Sequence, residues 1–109
     1  ISAATLGFVM SPTIQGKYKV EVENLAEIIR SITIKATVEA KQAYEKMPYK
    51  LLLEIWDEDI KSADSEQLLR RNVIYNFPPE FIVKREIEPK SSQPIVAIFH
   101  LVPIEAGGP

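Results

Sequence analysis

The sequence is poor in the residues that most often carry chemistry, since its 109 residues include no cysteine, one histidine and only four glycines. Without cysteine there can be no disulfide, no thiolate nucleophile and no zinc site built on sulfur. The few glycines form no phosphate-binding loop. The net charge of −2 provides no strongly basic surface, so nucleic acid is not an expected partner. No run is long and apolar enough to cross a bilayer.

Alternation with a period of two is the strongest pattern in the chain. Residues 17–23 place apolar side chains on one face and lysine or glutamate on the other, and residues 31–41 repeat this pattern. Side chains of a strand point alternately to two faces, so both segments are predicted as half-buried β-strands. Residues rich in apolar and β-branched side chains predict further strands, over 4–10, 50–56, 69–76, 81–87 and 94–102.

The prolines favour the same fold class, because they lie between the predicted strands rather than inside them. About seven strands predict an all-β fold, an antiparallel β-sandwich formed by residues 1–109 as a single domain. One short helical turn is predicted within residues 24–31, and Asp64 could cap a second one. The last residues, 105–109, are expected to form a flexible tail.

The aspartates are confined to one short segment, at Asp57, Asp59 and Asp64, directly after the apolar run 51–56. Carboxylates at such spacing can bind calcium through oxygen ligands. Residues 51–66 resemble a calcium-binding loop of the calcium-dependent phospholipid-binding domains, which are also β-sandwiches. That site draws aspartates from a second loop, which this chain lacks. The alternative is a solvated turn whose carboxylates accept backbone N–H bonds.

Other residues suggest chemistry less specifically. His100 is the only histidine and lies in the last predicted strand, where it is expected to be an outward-facing residue rather than a base or a ligand. Trp56 with Tyr44, Tyr49 and Tyr75 could form an aromatic platform for a sugar or a peptide, although packing within the sheets explains these residues equally well. No nucleophile pattern accompanies the histidine, so no catalytic residues are predicted.

A wider resemblance covers residues 34 to 102, which are similar to small lipoproteins related to type III secretion pilotins. The family has a strand with a small residue before Thr-Val, a loop ending in Leu-Pro and an apolar strand. An Asp-(Val/Ile)-Ser-x-Ala-Asp turn, a Pro-Phe strand entry and a late apolar strand follow. These features correspond here to residues 36–38, 47–48, 51–56, 59–64, 77–81 and 95–101, and residues 87–89 are a further match. Ala36, Lys61 and Glu66 depart from the residues usual in that family, and no lipid-bearing cysteine is present.

The pilotin resemblance implies a β-sandwich that binds another protein, such as a secretin subunit, in the periplasm or at the outer membrane. It implies no enzyme activity and no cofactor, and membrane contact only through a lipid anchor outside this chain. A binding groove or exposed sheet edge is expected around residues 51–56 and 95–102, where both strand faces are apolar. The alternatives are a calcium- and phospholipid-binding sandwich and a structural subunit of a larger assembly.

Overall fold

The structure is a computed structural model that describes residues 5–65 and 67–104. These residues form eight β-strands in three sheets, together with α-helices and a 3₁₀ helix at Asp57–Ile60. The strands are β1 (Leu6–Val9), β2 (Tyr18–Val22), β3 (Ile34–Ala36), β4 (Leu51–Glu54), β5 (Leu69–Asn72), β6 (Ile74–Tyr75), β7 (Ile87–Pro89) and β8 (Val96–Pro103). The α-helices are α1 (Leu25–Arg30), α2 (Val38–Glu45), α3 (Lys61–Ser65) and α4 (Pro79–Val83). The tail predicted at residues 105–109 lies outside the described residues.

The first sheet has the strand order β1–β4–β6. β1 runs parallel to β4, with Leu6 opposite Leu51, whereas β6 is antiparallel to β4, with Ile74 opposite Leu52. The prediction of a wholly antiparallel fold is therefore wrong for the β1–β4 pair. A parallel pair needs a long crossover connection, and residues 10–50, which contain β2, α1, β3 and α2, supply it.

The second sheet has the order β2–β8–β5, and both of its pairs are antiparallel. β8 is the longest strand and lies in the centre, where it bonds to β2 on one side and to β5 on the other. Ala97, Phe99 and Leu101 point from β8 into the core and are fully or almost fully buried. The alternation predicted for the strand at 17–23 is confirmed, because β2 alternates half-buried and exposed residues.

One cluster of buried side chains contains residues from both three-stranded sheets. The first sheet contributes Leu51 and Leu53, the second contributes Phe99 and Leu101, and α1 contributes Ile28. All five are at most 1% exposed. Burial of such side chains is the dominant favourable contribution to folding, so the interior between these sheets is the main core.

A smaller cluster lies against the third sheet, in which β3 pairs with β7. Ala40 and Tyr44 on α2 pack there with Ile87 on β7. The Tyr44 hydroxyl donates a hydrogen bond to the Lys50 carbonyl. Burial, together with the neighbouring Tyr75, raises the pKa of Tyr44 well above the ordinary value for tyrosine, so this hydroxyl stays protonated.

Two of the predicted strands are partly helical in the structure. The strand predicted over 31–41 ends at Ala36, because the Thr37 side chain accepts the Ala40 N–H at 3.2 Å and starts α2. Ala40 and Tyr44 then lie four residues apart on the buried face of that helix.

The strand predicted over 81–87 is also largely wrong, since Pro79 occupies the first turn of α4 and fixes a helical start. The short helix predicted within 24–31 is confirmed as α1. Asp64 does not begin a helix, but lies near the end of α3. No helix within the described ranges is long and apolar enough to cross a membrane.

Candidate functional site

The aspartate-rich segment after β4 is organised around Asp59, whose side chain is only 3% exposed. Its Oδ2 accepts the backbone N–H of Trp56 at 2.7 Å, at the start of the 3₁₀ helix. Arg71 on β5 donates to both carboxylate oxygens, at 2.7 and 2.9 Å. A bidentate, charge-assisted pair of this kind is among the strongest hydrogen-bonded contacts in proteins.

Arg71 also connects the two three-stranded sheets. Its Nη1 donates to the carbonyl of Glu54, the last residue of β4, at 2.8 Å. The guanidinium carbon lies 3.5 Å from the centre of the Trp56 ring, so the two planar groups are in contact. We call Trp56, Asp59 and Arg71 the inter-sheet junction, because it holds β5 of the second sheet against the end of β4 in the first.

Ser62 extends this junction to β8. Its hydroxyl donates to the Asp59 carbonyl at 2.7 Å and accepts the backbone N–H of Leu101 at 3.1 Å. β5 starts opposite Phe99, so Leu101 lies beyond the end of that strand. Ser62 thus pairs an N–H that would otherwise be buried without a partner, which would cost free energy.

The other two aspartates have different surroundings. Asp57 accepts a hydrogen bond from the Ser11 hydroxyl, and Asp64 is exposed on α3. Across residues 5–65 and 67–104 no three His, Asp or Glu side chains are placed together so that they could hold a metal ion. Both oxygens of Asp59 are bound to a guanidinium, which repels a cation. The structure thus separates the surroundings of Asp57, Asp59 and Asp64, and a calcium site at these residues stays a prediction.

His100 lies on the outer face of β8, as predicted, directly opposite Glu21 of β2. Its Nε2 is 3.4 Å from Glu21 Oε2, and its Nδ1 is 3.6 Å from Glu23 Oε1. The side chain is 20% exposed. A carboxylate thus lies near each ring nitrogen, and within the described residues the buried Nδ1 has no hydrogen-bond partner.

The outer face of the first sheet carries a group of exposed apolar side chains. Val9 is 50% exposed, Ile74 is 47% exposed and Tyr49 is 42% exposed. Leu52 lies between Gly7 and Ile74 in one cross-strand row. A Cβ added at Gly7 would lie 2.8 Å from the Tyr49 ring, which shows that Tyr49 packs directly on this row. We call Val9, Tyr49, Leu52 and Ile74 the outer apolar face.

β1 forms an edge of the same sheet. Within the described residues it pairs only with β4, and the Val9 carbonyl accepts the Ile55 N–H at 2.8 Å. Alternate residues of a parallel strand bond to the same neighbour, so the backbone groups of Phe8 face away from β4. Phe8 is 40% exposed and points to the sheet face opposite Val9. The edge therefore offers both backbone groups and apolar side chains.

A cleft of about 490 Å³ lies elsewhere, between α1, the beginning of β8 and the loop that precedes β8. Its lining includes Ile95, Val96 and Ile98, in the second region where the sequence predicted a groove. Arg70 on β5 and Glu27 on α1 also line it.

Comparison with known proteins gives no match: no family model, no curated protein and no solved structure is similar to this chain.

Sequence reasoning missed Arg71 as the partner of Asp59. A signal was available, because Arg71 lies between Leu69 and Val73 at the inward-facing positions of a predicted strand. A charged residue at such a position is rarely buried without a partner of opposite charge. The aromatic platform is not formed as one group, since Tyr44 and Tyr75 contact Phe77 whereas Trp56 stacks on Arg71.

Proposed function

We propose that the chain is a non-enzymatic protein-binding module that adds an extended segment of its partner to the edge strand β1. The observation that carries this proposal is the exposure of Phe8 and Val9 on opposite faces of that edge. A fourth strand beside β1 would bond to the free backbone groups and cover both side chains. Addition of a strand to an exposed edge is a common mode of peptide recognition.

The outer apolar face supports the same proposal. Sheets with one solvated face normally carry polar residues there, as β2 does with Lys19 and Glu21. The first sheet instead exposes Val9 on its open edge strand, and Tyr49 and Ile74 farther across the same face. Contiguous apolar surface of this kind is typical of an interaction site. The partner segment should therefore carry apolar side chains at alternate positions.

The wider architecture in this proposal is a β-sandwich made of the two three-stranded sheets. The shared core supports it, because Leu53 of the first sheet and Phe99 of the second belong to the same buried cluster. The inter-sheet junction supports it as well, since Arg71 reaches from one sheet to the other. In a sandwich the inner faces are buried together, which leaves the outer face and the edge of β1 for the partner.

The identity of the partner is taken from the pilotin resemblance of residues 34–102. On that basis we propose a component of a secretion system, such as a secretin subunit, as the partner. The matching location would be the periplasm or the outer membrane, with any lipid anchor outside this chain. These assignments rest on the sequence resemblance alone and are tested separately from the binding surface.

Site-specific photo-crosslinking in the organism of origin tests the surface. A benzophenone amino acid replaces Val9 in one variant and, as a matched control, Lys19 on the outer face of the second sheet in another. We expect a crosslinked protein from position 9 that is absent from position 19, and Ile74→Asp should reduce its yield. Equal products from both positions, or none from position 9, would refute the proposed surface. Mass spectrometry of the product then identifies the partner, and a protein that is not a secretion component would refute the pilotin-like assignment alone.

A further inference from the structure

The cleft at the beginning of β8 has a fixed wall on its α1 side. Asn24, directly before α1, donates from Nδ2 to the Val96 carbonyl at 2.9 Å and accepts the Ile98 N–H at Oδ1 at 2.9 Å. The Glu23 N–H adds a bond of 2.7 Å to the Ile98 carbonyl. These three bonds attach the start of α1 to β8, so the helix and the strand keep a constant separation. The cleft is a formed feature of the fold and does not depend on the binding proposed for β1.

Opposite charges line this cleft from its two sides. Glu27 comes from α1, and Arg70 comes from β5, where it lies opposite Ile98 of β8. In the part of the chain that the structure describes, neither side chain forms a salt bridge, so they are also too far apart to pair with each other. Within the described residues, both charges therefore lack a side-chain partner of opposite charge.

Polar and apolar side chains both line the cleft between these charges. Ile28, Ile95 and Ile98 contribute to the lining. The volume of about 490 Å³ lies in the range of pockets that hold small organic ligands. Such pockets combine an apolar surface with a few polar groups that fix the orientation of the ligand.

We propose that the cleft binds a small zwitterion with an apolar side chain, of the α-amino acid class. The carboxylate of the ligand pairs with the Arg70 guanidinium, its ammonium group pairs with the Glu27 carboxylate, and its side chain contacts the isoleucines. A ligand with one charge would leave the opposite charge of the cleft without a partner. A zwitterion without a side chain would leave the apolar surface in water.

Four compounds separate these contributions in titrations followed by proton–nitrogen correlation NMR spectra of the protein. Leucine carries both charges and an apolar side chain, whereas N-acetyl-leucine lacks the cation, leucinamide lacks the anion and glycine lacks the side chain. We expect leucine, titrated into the millimolar range, to shift the amide signals of Ile28 and Ile98. Each of the other three compounds should bind at least about tenfold more weakly.

Two variants assign each charge to its residue. Arg70→Gln should weaken leucine binding about tenfold and remove the preference for leucine over leucinamide. Glu27→Gln should remove the preference over N-acetyl-leucine instead. Arg30→Gln is the control, because Arg30 is an exposed cation on α1 that does not line the cleft. Spectra of the free variants report whether each one folds.

The proposal is overturned if leucine causes no shifts at these amides. It is also overturned if leucine, leucinamide and N-acetyl-leucine bind equally well, or if Arg30→Gln weakens binding as much as Arg70→Gln. None of these outcomes bears on the crosslinking result at Val9.

Discussion

The inter-sheet junction buries a charged side chain, whereas the outer apolar face exposes hydrocarbon side chains. At the junction a carboxylate, Asp59, is buried and almost inaccessible to water. On the outer face two β-branched hydrocarbons, Val9 and Ile74, are about half exposed. Both lie next to β4, since Asp59 follows it in the chain and Ile74 is on its neighbour β6. The same strand thus separates a buried polar cluster from an exposed apolar one.

This difference shows that partners, rather than residue type, decide burial in this molecule. Asp59 is buried because Arg71 and the Trp56 N–H supply three hydrogen bonds to its carboxylate. Val9 and Ile74 have no comparable cover, since each leaves about half of its surface exposed. A buried charge without its partner is strongly destabilising, whereas an exposed hydrocarbon costs the fold little. The junction should therefore determine stability, and the outer face should determine binding.

The largest loss of stability is expected from removing one partner of the Asp59–Arg71 ion pair. Arg71→Met leaves the Asp59 carboxylate buried without its ion-pair partner, and we expect it to lower the free energy of unfolding by about 3–5 kcal/mol. The melting temperature should fall by more than about 10 °C. Urea unfolding and calorimetry measure both quantities.

Two variants serve as controls for that experiment. Asp59→Asn combined with Arg71→Met removes both charges, so it should be less destabilising than the sum of the two single changes. Ile74→Thr keeps the β-branched shape on the outer face and should change stability by at most about 0.5 kcal/mol. If Arg71→Met costs no more than Ile74→Thr, the contrast between the two regions is wrong.

A smaller effect on stability is expected from the ionisation of Tyr44, a buried polar group outside the junction. Its pKa is raised in the folded state, whereas in the unfolded chain tyrosine loses its proton near pH 10. Above about pH 10 the unfolded state releases a proton that the folded state retains. Stability should therefore fall by up to about 1.4 kcal/mol per pH unit as the pH rises above that value.

Urea midpoints of the wild type and Tyr44→Phe, compared between about pH 8 and pH 11, test this dependence. The variant should lose stability less steeply over that range, since it has no phenol to ionise. Parallel slopes for the two proteins would contradict a raised Tyr44 pKa.

The smallest expected effect is that of calcium on the junction. Because Arg71 holds both oxygens of Asp59, millimolar calcium should leave the melting temperature unchanged, and Trp56 fluorescence should not respond. Ligands that bind the folded state must raise its stability. A calcium-dependent rise in melting temperature that Asp57→Asn abolishes would support metal binding by this segment instead.

Local pattern predicted the strands well where alternation or apolar composition agreed with the final environment. β1, β2 and β4 lie within the predicted segments, and β8 extends one residue beyond the segment predicted at 94–102. The pattern failed at residues 38–41, where the apolar positions fit both the two-residue period of a strand and the 3.6-residue period of a helix. The Thr37 cap and the packing of Ala40 and Tyr44 against Ile87 favour the helix there. The alternation in the sequence does not reveal these contacts.

The candidate sites were predictable in part. The sequence predicted apolar surface around residues 51–56 and 95–102, and the structure has the outer apolar face at the first and the cleft at the second. It could not predict which face would be uncovered, because that depends on how the sheets pack. The sequence also left a calcium site and a solvated turn open for Asp59 and did not predict its burial, because the arginine that pairs with it is twelve residues away.

The central position of β8 has a consequence for how the chain folds. Both neighbours of β8, β2 and β5, come earlier in the sequence, so the second sheet cannot form until the last described strand has been synthesised. The Val20–Leu101 register joins residues from opposite ends of the chain. Contacts this distant in sequence slow folding, and unpaired strands are prone to aggregate before their partner arrives. A growing chain on the ribosome would therefore carry β2 and β5 without their shared neighbour until residues 96–103 have been synthesised.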